Sequence, residues 1–267
     1  MKVALVTGVS SGIGKATATQ LSRAGFRTFG TVRTDGASAS PGLEVVRLDV
    51  RDASAVKAGI ASVLERAGRI DVLVNNVGSS LLGAFEETSL EEARLHFETN
   101  FFGALQVTQE VLPAMRAQRS GRIVNVGSVL GFLPAPFMSL YAAGKHAMEG
   151  WSESLDHEVR GFGLRVVVVE PGFTRTNFGR QTAFAARSLP EYGEGRGRVL
   201  RAVTESVEHG ADPEDVASLV VRIALARSPR LRYQAGAPAR LLRMLRAAAP
   251  AGVLDSGIRK SFGLVGV

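Results

Sequence analysis

Short apolar runs alternate with longer stretches of helical periodicity along most of the chain. The run from Val166 to Val169 is apolar at every position, which is typical of a strand that helices cover on both faces. Alternation of this kind indicates repeated βαβ units that build a parallel sheet. It predicts strands over residues 3–7, 27–32, 45–48, 72–75, 122–126, 165–169 and 231–234, and helices over residues 13–24, 53–67, 90–117, 139–161 and 213–226.

The predicted elements fit a single α/β domain over residues 1–267, with a doubly wound parallel sheet of about seven strands flanked by helices on both faces. Two segments depart from this rhythm. Residues 174–209 are rich in Gly, Arg and Glu, and we predict a long substrate loop there, because long loops inside compact domains are usually functional. Residues 238–267 begin with leucines among arginines, which predicts a C-terminal extension that contains a basic amphipathic helix.

The composition narrows the classes of function. The formal net charge is +7, but the basic residues are spread along the chain, so we expect no nucleic-acid partner. The chain has no cysteine, and its four histidines lack the spacing of metal ligands, so we expect neither disulfides nor a metal site. The N-terminus lacks a signal-peptide pattern, and no apolar run approaches the ~20 residues that span a bilayer, so we expect a cytoplasmic protein.

A glycine-rich turn follows the first predicted strand, where the chain passes from strand to helix. Such a turn lets backbone N–H groups and the positive end of a helix dipole contact a pyrophosphate. A tight turn without a ligand is the alternative, but the position at the first strand of a βαβ series favours a dinucleotide. The residues predicted to bind it are Gly8, Ser10, Ser11, Gly12, Ile13 and Gly14.

Tyr141 and Lys145 are four residues apart in a predicted helix, so their side chains project from one face. A free phenol has a pKa near ~10, and a nearby ammonium lowers that pKa towards the working range of a proton donor or acceptor. A structural pair on a surface helix is the alternative. We interpret Tyr141 as the catalytic acid or base and Lys145 as its helper.

These motifs resemble those of the short-chain dehydrogenase/reductase family, and most nearly its hydroxysteroid and retinol dehydrogenase branch. The pattern Thr-Gly-x-x-x-Gly-x-Gly runs from Thr7 to Gly14, and Tyr-x-x-x-Lys occupies residues 141–145. The resemblance covers nearly the whole chain and implies a Rossmann-type fold. It also implies that Ser128 hydrogen-bonds the substrate oxygen and that Asn100 holds a water of the proton relay, which completes the catalytic set with the tyrosine and lysine.

The same resemblance assigns further residues to a nicotinamide cofactor, most of them just after predicted strands. Val77 stands where the family has alanine, and we expect only a small local shift from the added bulk. The residues implied outside the glycine turn are Asp49 and Val50 near the adenine, Asn76, Val77 and Gly78 after the fourth strand, Pro171, Gly172 and Thr174 near the nicotinamide, and Tyr141 and Lys145 near its ribose.

The end of the second predicted strand decides between the two nicotinamide cofactors. An acid there hydrogen-bonds the ribose 2′-OH of NAD, whereas a basic residue accepts the 2′-phosphate of NADP. Arg33 stands at this point and presents a planar fork that suits phosphate, and Asp35 follows two residues later. We therefore predict NADP(H) in preference to NAD(H).

Apolar residues after Ser128, such as Leu130, Phe132 and Phe137, predict an apolar substrate cleft. The sequence thus predicts an oxidoreductase that interconverts a bulky apolar ketone or aldehyde and its alcohol. A catalytically idle NADP(H)-binding sensor or scaffold of the same fold is the alternative. The family resemblance implies a homodimer or homotetramer, commonly through the helices at 90–117 and 139–161, and the basic C-terminal helix leaves contact with a membrane surface as a further possibility.

Overall fold

A parallel sheet forms the centre of the computed structural model, which describes residues 1–34, 42–176 and 182–264. The strands in these ranges are β1 (Val3–Val6), β2 (Arg27–Val32), β3 (Leu43–Arg47), β4 (Val72–Asn75), β5 (Leu81–Leu82), β6 (Gly121–Val126), β7 (Leu164–Pro171), β8 (Ala183–Phe184) and β9 (Arg232–Ala235). Seven of them form one parallel sheet in the order β3-β2-β1-β4-β6-β7-β9, and β5 pairs with β8. All seven predicted strands lie in the large sheet, so the predicted sheet is confirmed.

The strand order reverses at β1, which has β2 on one side and β4 on the other. In an open parallel sheet a crevice forms at the carboxyl ends of the strands at such a point. The loops that follow β1 and β4 both lie at this edge. The fold therefore brings the predicted glycine turn next to residues 76–78.

Helices cover both faces of the sheet. Those in the described ranges are α1 (Gly12–Arg23), α2 (Ala53–Ala67), α3 (Leu90–Phe97), α4 (Gly103–Gln118), α5 (Ser139–Val159), α6 (Pro190–Glu208), α7 (Pro213–Leu225), α8 (Ala237–Ala248) and α9 (Ala251–Ser261). Successive residues of β1 alternate between two apolar clusters, with Leu5 among residues of α2, α4 and α5 and Val6 among residues of α1 and α7. The prediction of helices on both faces is confirmed. None of the helices in the described part of the chain is long and apolar enough to cross a membrane.

The predicted helix over residues 90–117 is interrupted by one π-helical turn, Glu98–Phe102, between α3 and α4. Side chains explain the interruption. Thr99 Oγ1 donates to the Leu95 carbonyl at 2.9 Å, and Asn100 Nδ2 donates to the His96 carbonyl at 2.9 Å. These side-chain donors take carbonyls that backbone N–H groups would use in a continuous α-helix, so the prediction of one helix was wrong at this turn.

The predicted loop over residues 174–209 was wrong for residues 190–208, which form α6. Pro190 occupies the first turn, where its missing N–H costs nothing, and Val199 and Val203 lie one turn apart on the buried face. The C-terminal segment forms α8, which contains the predicted leucines and arginines, and a second helix, α9, after Pro250. Residues 177–181 and 265–267 of these two segments, and Asp35, lie outside the described residues.

Candidate active site

The glycine turn after β1 is fixed by hydrogen bonds from neighbouring strands. Thr7 Oγ1 accepts from the backbone N–H groups of Asn76 and Val77 at 2.9 and 3.2 Å. Asn76 Nδ2 donates to the Gly8 carbonyl at 3.1 Å, and the Gly8 N–H donates to Thr31 Oγ1 at 3.1 Å. The turn therefore has one defined shape before any ligand binds.

That shape suits a pyrophosphate. Gly8 and Gly12 have φ angles of +73° and +56°, which side chains strongly disfavour, and a Cβ atom at Gly14 would clash with the Gly8 carbonyl oxygen. Ser11 caps α1 without a side-chain hydrogen bond to the first turn in the described residues, and no acidic residue stands in that turn. The free N–H groups and the helix dipole thus leave a cradle for an anion, and the residues present fit a dinucleotide.

The adenosine end of the crevice carries Arg33 directly after β2 and Asp49 after β3. Asp49 pairs with Arg51 at 2.6 Å. The hydrogen bonds from Arg51, with a smaller contribution from the charge of Arg33, hold the pKa of Asp49 below its usual value. Arg33 is exposed and lies close enough to Asp49 to act on its pKa, so the two groups form one polar patch.

Ser128, Tyr141 and Lys145 meet at the carboxyl end of β6. Ser128 follows β6, accepts from the Leu130 N–H at 3.1 Å and hydrogen-bonds the phenol of Tyr141. Lys145 lies one turn along α5, 5.8 Å from the centroid of the Tyr141 ring, and its Nζ donates to the Val126 carbonyl at 2.9 Å. Both α5 side chains are buried.

Burial dominates the electrostatics of this pair. It raises the pKa of Tyr141 to about 12, against which the hydrogen bond with Ser128 acts. It lowers the pKa of Lys145 to about 8, and the charge of Glu149 opposes this change. The sequence predicted that the Lys145 ammonium lowers the pKa of the phenol. In the structure the pKa of the phenol is raised instead, because Tyr141 is buried and the Lys145 ammonium donates to a backbone carbonyl.

Asn100 reaches the same place from the π-helical turn. Its Oδ1 accepts from the Ser79 N–H at 2.9 Å. A Cβ atom at Gly78 would lie 2.9 Å from Asn100 Oδ1 and 3.9 Å from Lys145 Nζ. The missing side chain of Gly78 therefore leaves a small polar space that the amide and the ammonium both border.

His96 belongs to the site, although the spacing of the four histidines in the sequence indicated no role for it. The ring is buried, packs edge-on against Tyr141 with centroids 6.0 Å apart, and has Nδ1 3.2 Å from Asn100 Nδ2. Burial, and next the charge of Lys145, lower its pKa to about 4, so the ring is neutral at pH 7. Its place one turn before Asn100 was the signal that could have identified it.

The segment after β7 closes the crevice from the other side. Pro171 ends β7, and Thr174 Oγ1 donates to the Gly172 carbonyl at 3.1 Å. A Cβ atom at Gly12 would lie 3.0 Å from Thr176 Cγ2. This segment therefore lies beside the glycine turn, as expected for residues at the same edge of the sheet.

Tyr141 is a member of a cluster of apolar side chains from several elements. They come from β5, from the segment between β6 and α5, from α6 and from the C-terminal end of the described chain. The cluster contains Leu82, Leu130, Ala135, Phe137, Met138, Tyr141, Val199, Leu200, Val203, Val207, Phe262 and Leu264.

Residues 2–185 match the family model for short chain dehydrogenases. This span contains the glycine turn and all four residues of the catalytic set. The chain belongs to the short chain dehydrogenase family. It is therefore an oxidoreductase of a family that binds nicotinamide cofactors.

Relatives extend the match beyond the family model. This short chain dehydrogenase is 32% identical to the 3-ketodihydrosphingosine reductase of Bacteroides thetaiotaomicron, over 88% of each chain. It is 34% identical to the 17-beta-hydroxysteroid dehydrogenase type 1 of Mus musculus, over 86% of this chain and 72% of the relative. The crystal structure of a short-chain dehydrogenase from Streptomyces avermitilis superposes with a TM-score of 0.83 at 37% identity, over 98% of this chain and 97% of that one.

Solved relatives bind either cofactor. Of two further structures with TM-scores of 0.80 and 0.75, the first is in complex with NAD and the second with NADP+. Relatives of this fold thus bind either cofactor, so the fold alone does not decide between them.

Proposed function

We propose that this short chain dehydrogenase interconverts a bulky apolar ketone or aldehyde and its alcohol, with NADP(H) as cofactor and Tyr141 as the acid or base. The observation that carries the proposal is the hydrogen bond between Tyr141 and Ser128 at the border of an apolar cluster, with Lys145 buried one turn away. Both hydroxyls would donate to the oxygen of a bound substrate.

The chemistry of the chain follows from the pKa directions. With a pKa of about 12, the Tyr141 phenol holds its proton at neutral pH and acts as a donor. Ser128 and Tyr141 donate hydrogen bonds to an oxygen on which negative charge develops during reduction, and Lys145 adds a positive charge below them. A bound nicotinamide would supply the hydride to the carbonyl carbon in reduction, or accept it from the alcohol carbon in oxidation.

The same residues serve a cofactor in complementary ways. Lys145, whose ammonium borders the space beside Gly78, would hold the ribose hydroxyls, and the amide of Asn100 would hold a water of the proton relay. Pro171, Gly172 and Thr174 would border the nicotinamide. The turn at residues 8–14, Asn76, Val77 and Gly78 would hold the pyrophosphate, and Asp49 and Val50 the adenine.

An apolar substrate is supported by the cluster around Tyr141, to which α6 contributes Val199 and Val203. A polar substrate would lose its hydration there without matching partners. The 32% identical relative from Bacteroides thetaiotaomicron is by its name a reductase of a keto compound. Together these observations favour a carbonyl next to a large apolar group.

The decisive experiment compares Tyr141→Phe with the native enzyme in NADPH oxidation across a panel of hydrophobic ketones and aldehydes. Loss of the phenolic proton donor should lower kcat by about 10²–10⁴-fold, while NADPH binding, followed by its fluorescence, stays intact. Tyr233→Phe on β9 is the matched control, because the Tyr233 hydroxyl only accepts from the Arg230 backbone N–H and its loss should leave kcat unchanged. Native protein that binds NADPH but turns over no carbonyl would favour the idle sensor.

The cofactor preference is tested at Arg33. Replacing this exposed guanidinium by a carboxylate in Arg33→Asp should lower kcat/KM with NADPH by about ten-fold or more, because one charge-assisted hydrogen bond is lost and repulsion is added. Activity with NADH should rise or hold. Arg246→Asp makes the same change on exposed α8 and serves as control. Equal use of NADH and NADPH by the native enzyme would contradict the proposed preference.

A further inference from the structure

A buried ionic cluster connects α5, the helix that carries Tyr141 and Lys145, with β7 and β9. Glu149, one turn after Lys145 on α5, is 4% exposed, and Glu170 at the end of β7 is fully buried. Arg232 on β9 donates to Glu149 Oε2 at 2.8 Å and lies 3.5 Å from Glu170 Oε1. Burying such charges costs free energy, which suggests that their position next to Ser128 and Lys145 has a function.

Glu149 packs against the turn that carries Ser128. A Cβ atom at Gly127 would lie 3.1 Å from Glu149 Oε1, and one at Gly131 would lie 2.8 Å from Glu149 Cγ and 2.9 Å from Oε1. The carboxylate thus occupies space left by two glycines on either side of the catalytic serine. Its Oε1 atom has no hydrogen-bond partner in the part of the chain that the structure describes.

Charges face Glu149 from four elements. Lys145 and Glu153 share α5 with it, Glu170 lies on β7, Arg232 on β9 and Arg243 on α8. Burial, and next the Glu170 carboxylate, raise the pKa of Glu149, whereas Arg232 and Arg243 lower it. The two guanidiniums oppose this rise, and the net result is a pKa of about 7 for Glu149, so its carboxylate is charged in the alkaline range where Lys145 titrates.

We infer that Glu149 is a positioning residue of the catalytic set, whose carboxylate, anchored by Arg232, supports the Ser128 turn and supplies the negative charge that keeps the Lys145 ammonium protonated. The inference rests on the proposed function for its catalytic meaning. The new element is that Glu149, a residue outside the Tyr-x-x-x-Lys motif, controls whether Lys145 is charged. The charge of Glu149 opposes the fall in the pKa of Lys145 that burial causes.

A glutamine separates this role from simple packing. In Glu149→Gln the side chain keeps its length and can still accept a hydrogen bond from Arg232, so a purely structural role survives. The negative charge is lost, so the ammonium of Lys145 should lose its proton at lower pH. Glu149→Met tests the same loss of charge without a buried amide, should the glutamine variant fold poorly.

The pKa of Lys145 can be measured without any turnover. The chain has five lysines, Lys2, Lys15, Lys57, Lys145 and Lys260, so ¹³Cε-lysine labelling gives a simple NMR spectrum, which Lys145→Met assigns. Glu149→Gln and Glu149→Met should each lower the pKa of Lys145 by about one pH unit, the low end of the effect of a nearby opposite charge. Glu153→Gln, on the same helix and paired with the same Arg232 at 2.7 Å, should leave it unchanged.

Kinetics provides the second reading. From a pKa of about 8, a fall of about one unit should shift the alkaline limb of kcat to lower pH and reduce kcat about five-fold at pH 8, with KM little changed. An unchanged Lys145 pKa in both Glu149 variants would overturn the inference whatever the activity. Native enzyme without carbonyl turnover would instead overturn the proposed function, while the NMR result would still decide the role of Glu149.

Discussion

Among the single side chains, Lys145 has a pKa that burial lowers strongly. Its pKa falls from 10.5 to about 8 on burial, so the folded protein releases this proton at lower pH than the unfolded chain. The cost of burying the ammonium is fully present below pH 8 and disappears as the pH rises to 10.5. This window corresponds to ~3 kcal/mol of unfolding free energy.

Lys145→Met should therefore change the pH dependence of stability. Relative to this variant, the native protein should gain ~3 kcal/mol of unfolding free energy between pH 7 and pH 10.5, measured by urea unfolding. The raised pKa of Tyr141 works in the opposite direction above pH 10, but it is present in both proteins and largely cancels. The exposed residue in Lys57→Met is the control, and a parallel pair of curves for Lys145→Met and native protein would contradict the assignment.

At this scale the sequence identifies the residues whose motif spacing is local. Tyr141 and Lys145 are four apart, and the glycine turn spans a few residues, so both patterns can be read directly. The sequence does not identify His96 and Glu149 as site residues, because their roles depend on which strands and loops pack against them. The sequence does not predict the raised pKa of Tyr141 either, because burial is a property of the tertiary structure.

Among the elements, α6 depends on one buried carboxylate. Glu87, in the short helical turn Phe85–Glu87, forms an ion pair with Arg196 of α6 and accepts from the Leu189 and Ala84 N–H groups at 2.8 and 2.9 Å. Burial alone would raise the pKa of Glu87, but these donors hold it below its usual value. Glu87 thus fixes the start of the helix that contributes Val199 to the apolar cluster.

Glu87→Gln should loosen α6 without unfolding the sheet. Loss of the charge leaves Arg196 partly buried without its ion pair, which should cost ~1–3 kcal/mol of stability. Hydrogen exchange should increase over residues 190–208 and stay unchanged in β1 and β4. Glu194→Gln removes an exposed ion pair with Arg198 on the same helix and should cost ~0.5 kcal/mol or less. Equal effects of the two variants would refute the anchoring role.

The elements also show where periodicity stops being informative. A run such as Val166 to Val169 needs no tertiary context, and every predicted strand was found. Glycines at positions 193, 195 and 197 hid the apolar face of α6, because Gly is a poor helix former whose presence favours a loop prediction. The π-helical turn was hidden because an extra residue in one turn barely disturbs a helical pattern.

At the scale of the whole molecule, two groups of exposed apolar side chains lie on helices and could bind a second copy of the chain. One lies on α3 and the following π-helical turn, with Leu95 and Phe102 52% and 43% exposed, and we call it the α3 surface. The other lies on α8, with Leu241 and Met244 55% and 66% exposed. On the α3 surface Phe101 stacks edge-on with Phe102 and with Trp151 of α5, so an aromatic group continues onto the next helix.

We propose that the protein forms a homo-oligomer through the α3 surface, because a continuous aromatic group is typical of the anchors of protein interfaces, whereas arginines interrupt the leucines of α8. Phe102→Glu should place a charge in that interface and lower the mass measured by light scattering after gel filtration to that of one chain. Met244→Glu introduces the same charge on α8 and should leave the mass unchanged. If Met244→Glu alone dissociates the protein, α8 is the interface; if neither variant changes an oligomeric mass, both surfaces are free and the contact lies elsewhere.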